Sequence, residues 1–96
     1  MNLNELRTKY KADILRIAER YGVTNIRVFG SVARGEANTK SDVDLLVTLP
    51  PTMHLYDYVG AELDIADTLG MPVQMVSDRA VNDLLRPRIF SEAVPL

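Results

Sequence analysis

Apolar residues recur at steps of three and four near the start of the chain: Leu3, Leu6, Tyr10, Ile14, Ile17 and Tyr21. That spacing predicts an amphipathic helix with one face toward a core. Asn2 or Asn4 suits its first cap, and Gly22 stands where a left-handed stop is expected. The pattern then changes. Asn25-Ile-Arg-Val-Phe29 is short and β-branched and ends abruptly at Gly30-Ser31, which predicts a first strand. Residues Val32 to Lys40 are polar and contain Gly35, as a turn of helix and a loop would be. Asp42 to Leu49 is polar at its start and continuously apolar afterwards, the signature of a strand buried on both faces.

Pro50-Pro51-Thr52 breaks the chain, and the stretch to His54 reads as a surface loop. Leu55, Val59, Leu63, Ala66 and Leu69 predict a second amphipathic helix stopped by Gly70. Pro72 to Ser77 predicts a third strand, with the proline at its first position where a missing N–H is tolerated. Val81, Leu84, Leu85, Ile89 and Phe90 form a broken helical stripe expected to be chiefly core, with Pro87 starting a second helical piece. Val94-Pro95-Leu96 is expected to leave apolar surface for a partner. The order α-β-(short α)-β-α-β-α has no repeat and no linker. It points to one α+β domain over residues 1–96, a small mixed sheet packed with helices.

Composition narrows the classes. Apolar residues make up 47% and charged residues 25% of the 96, the balance of an ordinary globular domain. Eleven basic and thirteen acidic side chains leave a net charge of −2, so nothing draws the chain to nucleic acid or an anionic membrane. There is no cysteine, which excludes disulfides, thiolate metal sites and cysteine nucleophiles. No apolar run reaches membrane-spanning length and no signal-peptide core precedes Tyr21, so the expected compartment is the cytoplasm.

The candidate chemistry lies between the first two strands. Asp42 and Asp44 are two residues apart on a predicted strand, so both carboxylates face one side. Carboxylates that close repel unless a cation lies between them, and Mg²⁺ is commonly held by one or two carboxylates together with substrate phosphates. Gly30-Ser31 ends the preceding strand in a turn that aims backbone N–H groups and a hydroxyl outward, a place where a phosphate can approach the backbone.

Together these residues read G30-S31-V-A-R34-G35-E-A-N-T-K-S41-D42-V-D44-L-L-V. The run resembles the signature of the DNA polymerase beta-like nucleotidyltransferase superfamily, Gly-Ser followed about a dozen residues later by Asp-x-Asp. The fuller form, with the closing RPRIFSEAV segment, is similar to the minimal nucleotidyltransferase (MNT) domains found as antitoxins of HEPN-domain ribonuclease toxins. The resemblance spans essentially the whole chain and implies the nucleotidyltransferase fold. It implies that Gly30 and Ser31 hold the β- and γ-phosphates of ATP and that Asp42 and Asp44, the catalytic pair, hold Mg²⁺. Arg34 either pairs with the triphosphate or plays a structural part beside Asp42 or Glu36.

The resemblance also exposes a departure. Family members carry a third carboxylate on the strand after the helix, and here Gln74 stands in that place. Glutamine is neutral, cannot act as a general base and is a poorer metal ligand than a carboxylate. Asp78 lies beyond the predicted strand end and is expected to cap the next helix. Asp64 and Asp67 are expected to be solvated charges of the helix face, and His54 to be exposed.

The resulting expectation is an antitoxin that transfers AMP from Mg²⁺-ATP to a tyrosine hydroxyl of a HEPN ribonuclease toxin and assembles with it as a hetero-oligomer. The alternative is a catalytically degenerate antitoxin that neutralises the toxin by binding alone.

Overall fold

The computed structural model describes all residues, 1–96. Asn2 caps the first helix, its side-chain oxygen accepting the Glu5 N–H at 2.7 Å. Helix α1 (Leu3–Glu5) continues through a π-helical turn (Leu6–Tyr10) into α2 (Lys11–Tyr21). The sequence pattern predicts one uninterrupted α-helix. The wider turn lets Leu6 and Ile14 face the same way, and both are fully buried. Gly22, at φ 76°, ends α2 in the left-handed conformation, and its N–H donates to Ala18 and Glu19 carbonyls.

Strand β1 (Thr24–Phe29) then leads directly into the short helix α3 (Gly30–Arg34). Strand β2 (Val43–Thr48) follows a loop, α4 (Leu55–Leu69) crosses over, and β3 (Val73–Ser77) returns parallel to β2. Helix α5 (Arg86–Glu92) precedes β4 (Val94–Pro95). The sheet order is β3-β2-β1-β4, with β1 antiparallel to both β2 and β4. The expected small mixed sheet is therefore present.

The two faces of the sheet differ. Val28, Val43, Leu45, Val47, Val73 and Met75 join Leu6, Ile14, Ile17, Ala61, Ile65 and Leu69 in one core beneath α2 and α4. Burying side chains of this size stabilises by roughly 1.5–3 kcal/mol each. The opposite face carries Arg27 paired with Leu46, Phe29 paired with Asp44, and Gln74 beside Asp44. Leu45, Leu46 and Val47 are all fully buried, as a strand covered on both faces requires.

Three expectations about burial fail. Leu55, Val59 and Leu63 stand on the solvent side of α4, whereas Ala61, Ile65 and Leu69 enter the core. Both stripes of α4 are apolar at helical spacing. The one carrying small residues admits α2 closely: a Cβ on Gly60 would lie 3.2 Å from the Tyr21 hydroxyl. Leu84, Leu85 and Phe90 are exposed rather than core, and only Val81 of that stripe is buried. The segment around Leu84 is a turn, so helical spacing there carries no common face. Val94-Pro95-Leu96 is not spare surface: Val94 and Pro95 pair with β1 as a fourth strand, and Leu96 is buried in the core with its N–H on the Ile26 carbonyl.

The outer edge of β3 is closed by α4. The Met75 N–H donates to the Glu62 carboxylate at 2.8 Å, and the Met75 carbonyl accepts from the Tyr58 hydroxyl. Burial, then the Glu62 charge, pushes the Tyr58 hydroxyl above its ordinary pKa, which keeps it a donor. No helix is long and apolar enough to cross a membrane.

Candidate nucleotide site at the end of the first strand

Phe29 is the last paired residue of β1, directly opposite Asp44 of β2. Gly30 follows at φ 73°, which turns the chain out of the sheet and into α3. A Cβ at Gly30 would lie 2.1 Å from Asp44 Oδ2 and 3.0 Å from its Cγ, so only glycine fits against that carboxylate. The antiparallel pairing thus brings Gly30-Ser31 beside Asp44, although a loop separates them in sequence. Gly30, Ser31, Arg34 and Asp44 line one cleft of about 330 Å³, closed on its far side by Leu85, Arg88, Ile89 and Glu92.

Asp42 does not stand on the strand. β2 begins one residue later, at Val43, whose N–H bonds the Pro72 carbonyl, and Asp42 lies exposed on the approach. Its charge is nevertheless felt by Asp44. Burial raises the Asp44 pKa, the Asp42 charge and then the Glu92 charge push it further, and Arg34 opposes them. Neither Asp42 nor Asp44 takes part in any of the chain's ion pairs. Two repelling oxygen donors with no cation partner are a donor set that suits a hard divalent ion such as Mg²⁺. No third acidic or histidine side chain completes a cluster with them.

The third position is directly across the ladder. Gln74 pairs with Asp44 in the parallel β2–β3 register and is exposed toward the site face. The sheet therefore presents Asp44 between Phe29 and Gln74, whose neutral amide stands where the sequence resemblance implies an acid.

Arg34 is engaged by two carboxylates, Glu36 at 2.9 Å and Glu92 at 2.7 Å. The expected structural pairing with Glu36 is present, and Asp42 is not its partner. Glu92 was not singled out from the sequence. Its Oε1 also accepts the Gly30 N–H at 2.8 Å, which ties α5 to the turn. The one available signal was its position just before the apolar Val94, where an exposed helix charge and a site residue read alike. Asp78 also differs from expectation. It caps no helix but takes the Arg27 guanidinium at 2.9 Å and the Thr48 hydroxyl at 2.6 Å. Burial alone would raise its pKa; the hydrogen bonds from Thr48 and Arg27 outweigh it and hold the carboxyl below the usual range. Asp64 is likewise not simply solvated, since it accepts the Tyr21 hydroxyl at 2.7 Å. His54 and Asp67 are exposed, as expected, and Lys40 is exposed too.

The family model described as a nucleotidyltransferase domain matches residues 11–95. The chain belongs to the nucleotidyltransferase domain family. Two relatives extend the match over nearly the full length. A candidate protein adenylyltransferase of Methanocaldococcus jannaschii is 35% identical over 98% of this chain and 97% of its own. The protein adenylyltransferase MntA of Thermococcus cleftensis is 32% identical over 98% of this chain and 95% of its own. Among solved structures, a candidate minimal nucleotidyltransferase is 42% identical, with a TM-score of 0.85 over 100% of this chain and 97% of that one. A toxin–antitoxin structure with AMP-PNP shares the nucleotidyltransferase fold at a TM-score of 0.77 and 19% identity, covering 90% of this chain and 71% of that one.

Proposed function

We propose that this nucleotidyltransferase domain is an antitoxin that transfers AMP from Mg²⁺-ATP to a tyrosine hydroxyl of a partner HEPN ribonuclease toxin, silencing it within a hetero-oligomer. The observation that supports the reading is the close approach of Gly30 to Asp44, with Ser31 lining the same cleft as this carboxylate, which has no ion-pair partner. Full-length similarity to protein adenylyltransferases and the shared fold of toxin–antitoxin structures support it.

In this reading Ser31 and the turn that follows Gly30 receive the terminal phosphates, and Arg34, although paired with Glu36 and Glu92, offers its remaining terminal nitrogen at the cleft wall. Asp42 and Asp44 would hold Mg²⁺, which would supply charge neutralisation on the triphosphate and polarise the α-phosphate. The acceptor hydroxyl approaches in line on the side away from the pyrophosphate. It attacks the α-phosphorus, the bond to the β-phosphate oxygen breaks, pyrophosphate leaves, and the hydroxyl proton passes to solvent or a neighbouring base. Gln74 cannot take that proton.

Incubation of the chain with its toxin, Mg²⁺ and ATP, read by intact mass, tests the proposal. An added adenylate on the toxin that disappears with Asp44→Asn is expected; transfer that survives this substitution overturns it. The neutral Gln74 beside Asp44 favours a second reading, an antitoxin that acts by occlusion alone. That reading expects toxin inhibition without ATP and with Asp42→Asn.

A further inference from the structure

We infer that Glu92 is a positioning residue of the nucleotide site, pinning the Gly30 amide and the Arg34 guanidinium so that Ser31 and Asp44 keep their spacing. The inference rests on the nucleotide reading of the cleft given above.

Gly30 leaves the sheet immediately after its last ladder pair, so the sheet offers its N–H no partner. Glu92 Oε1 accepts that N–H at 2.8 Å and Arg34 Nη1 at 2.7 Å, and its other oxygen lies 3.9 Å from Arg88 Nε. The Glu92 side chain is only 16% exposed, which makes these charge-assisted bonds stronger than surface ones. Glu92 is itself held from behind. Val94 pairs with Val28 of β1, and the Leu96 N–H reaches the Ile26 carbonyl, so the residues after α5 are fastened to the strand that ends in Gly30.

The pin reaches the carboxylate through contact. The Gly30 backbone packs so closely on Asp44 that a Cβ would overlap Oδ2. A shift of the Gly30 peptide therefore moves either Asp44 or the adjoining Ser31. Glu92 leaves the Ser31 hydroxyl and the second terminal nitrogen of Arg34 without a protein partner, so it orients the phosphate-facing donors without consuming all of them. The competing idea is that Glu92 is an internal anion that excludes phosphate. It makes the opposite prediction for binding.

The full chain and its variants E92A, E92Q and E92D would be titrated with AMP-PNP and Mn²⁺ by calorimetry. Gly30 amide exchange would be followed by NMR, at a temperature where circular dichroism shows each variant folded. E92A is expected to weaken binding roughly tenfold or more and to expose the Gly30 amide, as for loss of a hydrogen bond to a charged group. E92Q keeps an acceptor oxygen and is expected within about fivefold of wild type with the amide still protected. Binding by E92A equal to or tighter than wild type overturns the inference while leaving the nucleotide site in place. A wild type that binds no AMP-PNP instead sinks the nucleotide reading, and the pin with it. If E92A does not fold, E92D decides. It keeps the charge but is one methylene short of Gly30, so weaker binding supports the pin and wild-type affinity overturns it.

Discussion

Gly30 and Asp44 are in contact with no room for a side chain between them: a Cβ on the glycine would lie 2.1 Å from the carboxylate oxygen. The backbone at Gly30 is also in the left-handed region, where a larger residue is strained by roughly 1–3 kcal/mol. Gly30→Ala is therefore expected to lower stability by about that amount and to remove Mg²⁺-nucleotide binding by displacing Asp44. Chemical denaturation and calorimetry with AMP-PNP measure the two effects. An alanine variant that binds as wild type would show that Asp44 tolerates movement.

Asp44 carries a cost in the absence of metal. Burial and the neighbouring Asp42 charge raise its pKa, so protonation favours the folded state more than the unfolded one. The sign follows: stability falls as pH rises through the window between the ordinary carboxylate value and the raised one, and remains lower above it. Asp44→Asn is expected to raise the melting temperature of the metal-free protein at pH 7 and to abolish its response to Mg²⁺ or Mn²⁺. A lower melting temperature in the variant would refute this account of the site.

Gln74 faces Asp44 across the β2–β3 ladder, where an acid would be a base for the incoming hydroxyl. If transfer is limited there, Gln74→Asp should raise the single-turnover rate on the toxin by roughly tenfold to a hundredfold, within the range a general base supplies. The added charge beside Asp44 should also lower the metal-free melting temperature. An unchanged rate would show that another group or water takes the proton.

Away from the cleft, Arg27 and Asp78 form the most enclosed ion pair, each side chain about one-sixth exposed. Asp78→Ala would leave the Arg27 guanidinium with only the Asn25 carbonyl and the Phe90 ring, and is expected to cost roughly 1–3 kcal/mol. Because the Asp78 pKa is held low, its contribution is present above about pH 4 and is lost as pH falls through the lowered value. Urea titrations between pH 3 and 7 should show a shallower acid-side loss in Asp78→Asn than in wild type.

The strand–glycine–serine break and the Asp42 to Leu49 run were legible because each is a local pattern: a change of period, a turn residue, a buried apolar run. Asp44 and Gly30-Ser31 meet because consecutive antiparallel strands place the end of one beside the start of the next. Glu92 was not legible, since its role depends on α5 and β4 folding back onto β1, and nothing local distinguishes it from a solvated helix charge. Part of the α4 stripe was misread for a related reason, although Leu69 enters the core and Ala66 packs against it as expected. Leu55, Val59 and Leu63 have the right spacing, yet the close approach of α2 selects the stripe with Ala61 instead.

The closed edges of the sheet bear on how any second protein can be recognised. Tyr58 and Glu62 occupy the outward carbonyl and amide of Met75, and the opposite edge is the two-residue β4, whose Pro95 has no N–H to offer. Strand addition by an incoming chain is therefore disfavoured at Met75 on one border and at Pro95 on the other. That favours recognition of another protein through side chains, which can be retuned by point substitution without disturbing the ladder that holds Asp44.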